Sequence, residues 1–534
     1  MTLTKEASKE INLIELLSTL ADACSRGCQV IRTVNQKRQQ QKKDPNQKAL
    51  NVQYKVADDP RSALTEADLN SQLVIMDCIR SVYGFSLNVI GEEDGDEDED
   101  EGDEAVNGNE KDVDVQSIFN KYNVDPISKR GINKTIFDNT CSLGADADFD
   151  FSKASVSLED VTVYIDPMDG TREFVEERLQ NVQCLIGITH KGQPVGGVIG
   201  LPFVSFETSE DSHGDDNESI NVVCAMNMND CNVNMIDTVR FQNGVCQNDD
   251  GYSLSWQSLE KDKEPASAGN DMNTSLKIFT GDSSRIHKKH ALEYLEKFTQ
   301  EKGDSLNLCI TGGCGNKILR TTAYGTGNNG NGNAIAVITP GTCSWDTAAP
   351  TSILFASMAK FGIKGKVTDL FGGELVYTSS GKIVENDLGA FISCGEKAVE
   401  YHDKLTMAMR GDAIILDSSL RKYWNNFGGD DSTCSTSLDK DEEETRLKLK
   451  NAQSKTQRVH EFRNAEGRVI KCEELQSMVS DQKDVEGSKL IGYATSMPSE
   501  SNGLQLFWRR GKDSSLPDVV QINRTTSSLE ITLS

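Results

Sequence analysis

Three short segments of the 534-residue chain place acidic side chains where an apolar run stops: Ile90-Gly91-Glu92-Glu93-Asp94, Ile165-Asp166-Pro167-Met168-Asp169-Gly170-Thr171 and Trp345-Asp346-Thr347-Ala348-Ala349-Pro350. Loops at strand ends project their side chains into a shared crevice, so acids distant in sequence can converge there. Oxygen donors without a His or Cys partner suit Mg²⁺, which takes a few carboxylates, waters and phosphate oxygens. In the second segment Pro167 stiffens the turn between two acids, and Gly170 and Thr171 stand where a helix can begin at Arg172-Glu173-Phe174-Val175. Free amides there would hold a phosphate dianion, with the Thr171 hydroxyl facing it. Each segment alone also reads as ordinary structure, the start of an acidic loop or an Asp-Pro turn with a helix cap. The three together, in this order, point to metal-assisted phosphate chemistry.

The elements that must position these acids are legible from periodicity. Leu13, Leu16, Leu17, Leu20, Ala21, Cys24 and Val30 predict an amphipathic helix over about residues 10–35. Leu69, Leu73, Met76, Ile79 and Val82 predict a second helix after Ala67, and Leu87 to Ile90 then reads as a strand running into Glu92. Val161 to Ile165 is a β-branched strand ending at Asp166, and Val182 to Ile188 with Val195 to Ile199 has hairpin grammar about Lys191-Gly192-Gln193-Pro194. From Glu92 to Glu104 only Gly95 and Gly102 are uncharged, so a disordered acidic loop is expected over about residues 95–125. Residues 208–275, rich in Asp, Asn and Ser, read as a long surface insertion, and Gly325 to Asn333 as another. Three regions follow, 1–277, 278–425 and a polar tail over 426–534 whose strand-like pieces at Leu504 to Trp508, Val519 to Ile522 and Leu529 to Leu533 suggest a small appended unit.

Composition narrows the partners. With 83 Asp+Glu against 56 Lys+Arg the net charge is −27, which argues against wrapping a nucleic-acid polymer or lying on an anionic membrane. No run reaches the roughly 18 apolar residues of a membrane span, and the N-terminus lacks a basic stretch followed by an apolar core, so a soluble, cytoplasmic protein is expected. The 14 Cys are scattered, and Cys24 and Cys28 have helical spacing with no cluster nearby to complete a zinc site; reduced structural thiols are the reading. His190, His213, His290, His402 and His460 show no metal spacing and read as surface or core residues.

The motifs at 91–94, 166–174 and 345–350 resemble those of the lithium-sensitive, Mg²⁺-dependent phosphatases of the inositol monophosphatase superfamily. The longer match from Tyr164 through Pro202, with Gly312-Gly313-Cys314-Gly315-Asn316-Lys317, is most similar to the bisphosphate nucleotidase branch. The resemblance covers roughly residues 10–94, 160–205 and 278–400. It implies a mixed α/β (α+β) fold, a layered αβαβα sandwich with acidic and polar insertions. The N-terminal half would bind metal and the half over 278–425 the nucleotide, with the site at their junction. It assigns Glu92, Asp166, the Met168 carbonyl, Asp169 and Asp346 to two or three Mg²⁺ ions, and Asp68 with Thr171 to orienting and deprotonating the attacking water. It assigns Gly170, Ser284 (in place of a Thr), His287, Gly313 and Lys317 to the substrate, Lys317 meeting a second phosphate. The implied reaction removes the 3′-phosphate of 3′-phosphoadenosine 5′-phosphate, or of 3′-phosphoadenylyl sulfate, in support of sulfur metabolism, with Li⁺ inhibitory. Two alternatives stay open: an inositol polyphosphate 1-phosphatase, and a non-catalytic acidic scaffold. Asp68 also reads as a helix N-cap and Lys317 as a helix-start lysine.

Overall fold

A computed structural model of the chain describes residues 10–42, 52–54, 63–93, 115–126, 131–134, 136–137, 154–204, 219–228, 233–242, 244–247, 275–330, 332–370, 372–373, 375, 377, 385–386 and 389–411, with the backbone of four strands between 489 and 533. Asn12 ends a short strand β1 (Glu10–Asn12) and caps helix α1 (Leu13–Lys42), its Oδ1 accepting from the amides of Ile14 and Glu15 at 2.9 and 3.1 Å. Strands β2 (Val52–Tyr54) and β3 (Ala63–Thr65) pair with each other before helix α2 (Glu66–Tyr83). Thr65 is the N-cap of α2 and Asp68 its third residue, in a reciprocal capping box; the cap is therefore Thr65, not Asp68.

A seven-stranded sheet follows, ordered β11-β10-β9-β8-β7-β6-β4. Its strands are β4 (Asn88–Gly91), β6 (Val161–Asp169), β7 (Gln183–His190), β8 (Gln193–Leu201), β9 (Ser219–Met228), β10 (Val233–Gln242) and β11 (Val245–Gln247). All neighbours are antiparallel except β4 and β6, and every residue of β6 is buried. Helix α3 (Val115–Lys121) packs beside α2, β5 (Ser155–Ser157) pairs with β1, and the short helix α4 (Thr171–Val175) follows β6.

A second sheet, ordered β13-β12-β14-β18-β16, contains β12 (Ser275–Thr280), β13 (Ser305–Ile310), β14 (Ala334–Ile338), β16 (Gly365–Thr368) and β18 (Ala390–Cys394). Strands β15 (Thr342–Cys343) and β17 (Glu385–Asn386) pair in a separate two-stranded sheet. Its helices are α5 (Ile286–Lys302), α6 (Cys314–Gly330), α7 (Ser344–Phe361) and α8 (Glu396–Gly411). Helices α1 and α2 cover one face of the first sheet, α6 and α7 lie between the two sheets, and α5 and α8 cover the far face of the second. This is the expected αβαβα layering. The middle layer is tight: a methyl at Gly187 or Gly197 would run into Ala348 and the Ala349 backbone of α7, so glycines let that helix settle onto β7 and β8.

Several expectations are corrected. Ser219–Met228 and Val233–Gln242, inside the expected surface insertion, are sheet strands: β9 is almost wholly buried in the first sheet, and β10 pairs with it along ten residues. The polar side chains that suggested a loop flank apolar strand residues. The acidic loop over 95–125 is interrupted by α3, whose Ile118 and Phe119 are buried, while residues 94–114 lie outside the described part. Gly325 to Gly330 continues helix α6. In the tail, β19 (Lys489–Leu490), β20 (Gly503–Arg509), β21 (Pro517–Arg524) and β22 (Leu529–Leu533) form an antiparallel sheet, at the positions of the strand-like pieces. Among the described residues no helix is long and apolar enough to cross a membrane.

Candidate active site

Register assembles the acids. Strands β4 and β6 run parallel with Gly91 opposite Ile165, and Glu92 donates its amide to the Ile165 carbonyl at 2.9 Å, so Glu92 arrives beside Asp166. On the other side of β6, Asp166 faces Leu185 while Asp169 faces Gln183: three steps along β6 match two along β7. In a regular strand residues three apart point to opposite faces; the extra residue of this bulge returns Asp169 to the face of Asp166. Asp346, the third residue of α7, reaches back to accept from the Cys343 amide and joins them. One carboxylate oxygen from each of Asp166, Asp169 and Asp346 lies within 4.8 Å of the other two.

The surroundings hold each acid in place. The Met168 amide donates to Asp166 Oδ1 at 3.0 Å. Asp169 accepts from the amides of Cys314 and Asn316 at the start of α6, at 2.8 and 3.2 Å. Gly313 makes that approach feasible: its φ is +75°, and a methyl there would sit 2.8 Å from Asp169 Oδ2. A side chain at Gly312 would collide with Glu173, which Asn181 and Arg178 hold in place. The glycine run thus first serves contact between α6 and the acids. Lys317 Nζ donates to the Gly313 carbonyl at 2.8 Å and its charge acts on Asp169.

Asp68 and Thr171 form a separate pair at the edge of this group. Thr171 Oγ1 donates to Asp68 Oδ1 at 2.8 Å and lies 3.2 Å from the Met168 carbonyl, while Asp68 Oδ2 accepts from both the amide and the hydroxyl of Thr65 at 2.7 Å. Gly170, with φ +89°, is the left-handed residue that turns β6 into α4 and presents Thr171.

Burial without countercharge raises the carboxyls. Burial is the largest cause in each case and holds Asp68 at about 6 despite its hydrogen bonds to Thr65 and Thr171. Asp346 stands at about 8, raised further by Asp169 and Glu92. Asp169 is moderated to about 6 by Lys317 and the two α6 amides, and Asp166 is pushed well above the carboxylate range by burial and then by Glu92, Asp169 and Asp346. An all-oxygen donor set short of positive charge fits a hard divalent cation such as Mg²⁺.

The predicted residues divide into two groups. Asp68, Glu92, Asp166, Met168, Asp169, Gly170, Thr171, Gly313, Lys317 and Asp346 are joined in one cluster by the hydrogen bonds, strand register and charge contacts given above. Ser284 is exposed and His287 is buried in the first turn of α5, outside the carboxylate group. Their segment is tied to the site by Arg172, which donates to Asp282 at 2.7 Å, and Lys317 packs beside Gly281. Sequence reasoning missed Thr65, although Thr65-x-x-Asp68 carries the capping-box signature, and the Arg172–Asp282 bridge, which has no local signal. His402, read as surface or core, is core: it is buried against Thr368 and Ser393. His213 and His460 lie outside the described residues.

A sequence profile of the inositol monophosphatase family matches residues 15–401. The chain is 23% identical to 3′(2′),5′-bisphosphate nucleotidase 1 of Dictyostelium discoideum over 389 residues, 72% of this chain and 94% of that protein. It is 25% identical to the human protein of the same name over 224 residues, 42% of this chain and only 54% of that one. Among solved structures, CysQ from Bacteroides thetaiotaomicron is 16% identical with a TM-score of 0.37, covering 72% of this chain and 98% of its own. With the family profile running from α1 into α8 and including all three acidic motifs, the chain belongs to the inositol monophosphatase family of Mg²⁺-dependent phosphatases.

Proposed function

We propose that this phosphatase removes the 3′-phosphate of 3′-phosphoadenosine 5′-phosphate, and of 3′-phosphoadenylyl sulfate, by direct attack of water. The observation that carries the hydrolytic reading is the Thr171–Asp68 hydrogen bond at the edge of three converging carboxylates. Glu92, Asp166, Asp169, Asp346 and the Met168 carbonyl would hold the cations. When bound, Mg²⁺ offsets phosphate charge, favours ionisation of water and stabilises the leaving oxygen. Thr171 Oγ1 donates to Asp68 and so has a lone pair free to accept from water, which aims that water and passes a proton toward Asp68 Oδ1. Thr65 keeps Asp68 in the acceptor position throughout. Lys317 and the Gly313 amide, at the start of α6, would meet the non-reacting phosphate, and the Ser284 to His287 segment would meet the base.

The nucleotide is supported by the relatives named bisphosphate nucleotidases, one of them matched over nearly its whole length. Consumption of such a by-product fits a place in sulfate-transfer metabolism. Phosphate release should be measured side by side on 3′-phosphoadenosine 5′-phosphate and inositol 1,4-bisphosphate. The nucleotide is expected to have the higher kcat/KM, by at least about tenfold, a ratio set by matched polar contacts, and Li⁺ is expected to inhibit. Faster turnover of the inositol phosphate would overturn the substrate assignment, and no Mg²⁺-dependent release from either would overturn the hydrolytic one.

A further inference from the structure

Helix α1 and strand β7 bring three thiols to one point. Cys24 and Cys28 stand one turn apart on the buried side of α1, and Cys184 meets them from β7; the three sulfurs lie within 4.8 Å of one another and none of the side chains is exposed. The sequence reading, which saw no third ligand near Cys24 and Cys28, is thus corrected: the third thiol comes from the far side of the core. Gly200 on β8 closes the site, since a methyl there would run into Cys28 Sγ and lie 2.7 Å from Cys24 Sγ. One turn beyond Cys28, Arg32 is anchored on the carbonyls of Pro202 and Ser219, and its charge acts on Cys28. Among the described residues only the three catalytic-site carboxylates converge as closely.

Isolated core cysteines behave as small apolar side chains. Three sulfurs sharing one point, from two elements, match what a thiolate-bound ion requires. A metal–sulfur bond of about 2.3 Å places ligand sulfurs about 4 Å apart, within the observed limit. Soft sulfur donors select Zn²⁺ or Cu⁺ over Mg²⁺, so this point and the carboxylates would not compete for one ion. Three thiolates around Zn²⁺ carry one net negative charge, which the Arg32 guanidinium offsets.

We propose that Cys24, Cys28 and Cys184 form a second metal site that takes one thiophilic d10 cation, Zn²⁺ or Cu⁺, the three thiols releasing their protons to solvent on binding. The position has a consequence for the first site. Cys184 stands between Gln183, the cross-strand partner of Asp169, and Leu185, the partner of Asp166, and alternation puts its side chain on the opposite face of the sheet. A bound ion would therefore clamp α1 to the strand that backs both aspartates.

The test uses the full chain, reduced, cleared of transition metals and kept in Mg²⁺. It is titrated with Cd²⁺ as a spectroscopic probe, then with Zn²⁺, and anaerobically with Cu⁺. The expected result is sulfur-to-cadmium charge-transfer absorbance that saturates at one equivalent. Zn²⁺ or Cu⁺ should raise Tm, and the ion that saturates at one equivalent identifies the occupant. Both effects should be lost in the Cys28→Ala/Cys184→Ala double variant and kept in Cys394→Ala, which alters a buried thiol outside the group. Should the double variant not fold, alkylation of the wild type in partial urea gives an independent readout: the added ion should protect these three cysteines above the others, as mapped by mass spectrometry. Absence of a saturable signal in the wild type, its persistence in a folded double variant, or equal alkylation with and without metal would each overturn the proposal.

Discussion

Asp169 is the residue at which charge and architecture are hardest to separate, because its two oxygens accept from the amides that start α6. Asp169→Asn keeps an acceptor and a near-identical shape. Its NH2 must face one of those two amides, so it is expected to lower Tm modestly in a chain that still folds and to abolish Mg²⁺-dependent phosphate release; undiminished turnover would remove Asp169 from the chemistry. Asp169→Ala instead strands buried amides and should cost a further 1–3 kcal/mol or about that in stability, readable by urea denaturation. The raised carboxyls make a second prediction. With Asp68 and Asp169 at about 6 and Asp346 at about 8, the folded, cation-free protein keeps protons that the unfolded chain has released. That contribution is full below the ordinary carboxyl value of 3.8 and is lost as pH rises through 6 and then 8. A cation competes with those protons, so the Tm difference between Mg²⁺ and chelator should widen from about pH 5.5 to about pH 8.5. A difference that stays flat would mean that these carboxylates do not bind the ion. Glu92 and Asp166 were legible because each follows an apolar strand run, and Asp169 and Asp346 because they stand in the short motifs at 166–171 and 345–350. Thr65, Arg172 with Asp282, and Cys184 with Cys24 and Cys28 owe their roles to distant partners, and apart from the short capping motif at Thr65 nothing local marks them.

At the scale of elements the site depends on three devices: the bulge in β6, the reciprocal caps at the starts of α2 and α7, and the close seating of α7 on β7 and β8. The third can be tested alone. Gly197→Ala would push its methyl into the Ala349 backbone, three residues beyond Asp346. Overpacking of this kind costs about 1–3 kcal/mol. Denaturation should show that loss, and the Mg²⁺ concentration for half-maximal activity should rise as Asp346 moves; wild-type values for both would show that the seating is slack. Helices α1 and α2 and strands β4, β6, β7 and β8 were readable because their apolar periods are unbroken. Strands β9 and β10 were not, since composition averaged over a stretch rich in Asn, Asp and Ser hides the short apolar run Val222 to Met226 of β9 and the interrupted apolar positions of β10. Gly325 to Asn333 reads as an insertion for a similar reason: Gly and Asn are poor helix formers, yet Gly325 to Gly330 continues α6, whose packing against the second sheet overrides that preference.

For the whole molecule, the family match ends at residue 401 and every residue predicted for the phosphatase site lies between Asp68 and Asp346. A chain ending after Gly411 keeps α8 and both main sheets, so its kcat on the preferred substrate should stay within about threefold of the full chain, because no described contact to the site is removed. A larger loss would give the remaining 412–534 segment a part in turnover. The net charge of −27 takes on a different meaning once the acids are sorted: a handful converge at the proposed cation site, while the acidic Glu92 to Glu104 block begins at that site's own first ligand candidate. The layering described above also divides the site between two stretches of chain. Asp68, Glu92, Asp166, Asp169 and Thr171 precede β11, whereas Lys317, Asp346 and the α6 amides follow the start of β12. Neither stretch carries a complete site. If the chain were cut between Gln247 and Ser275 and the two pieces were produced together, each phosphate released would report a docked pair, making the protein a split reporter of its own assembly.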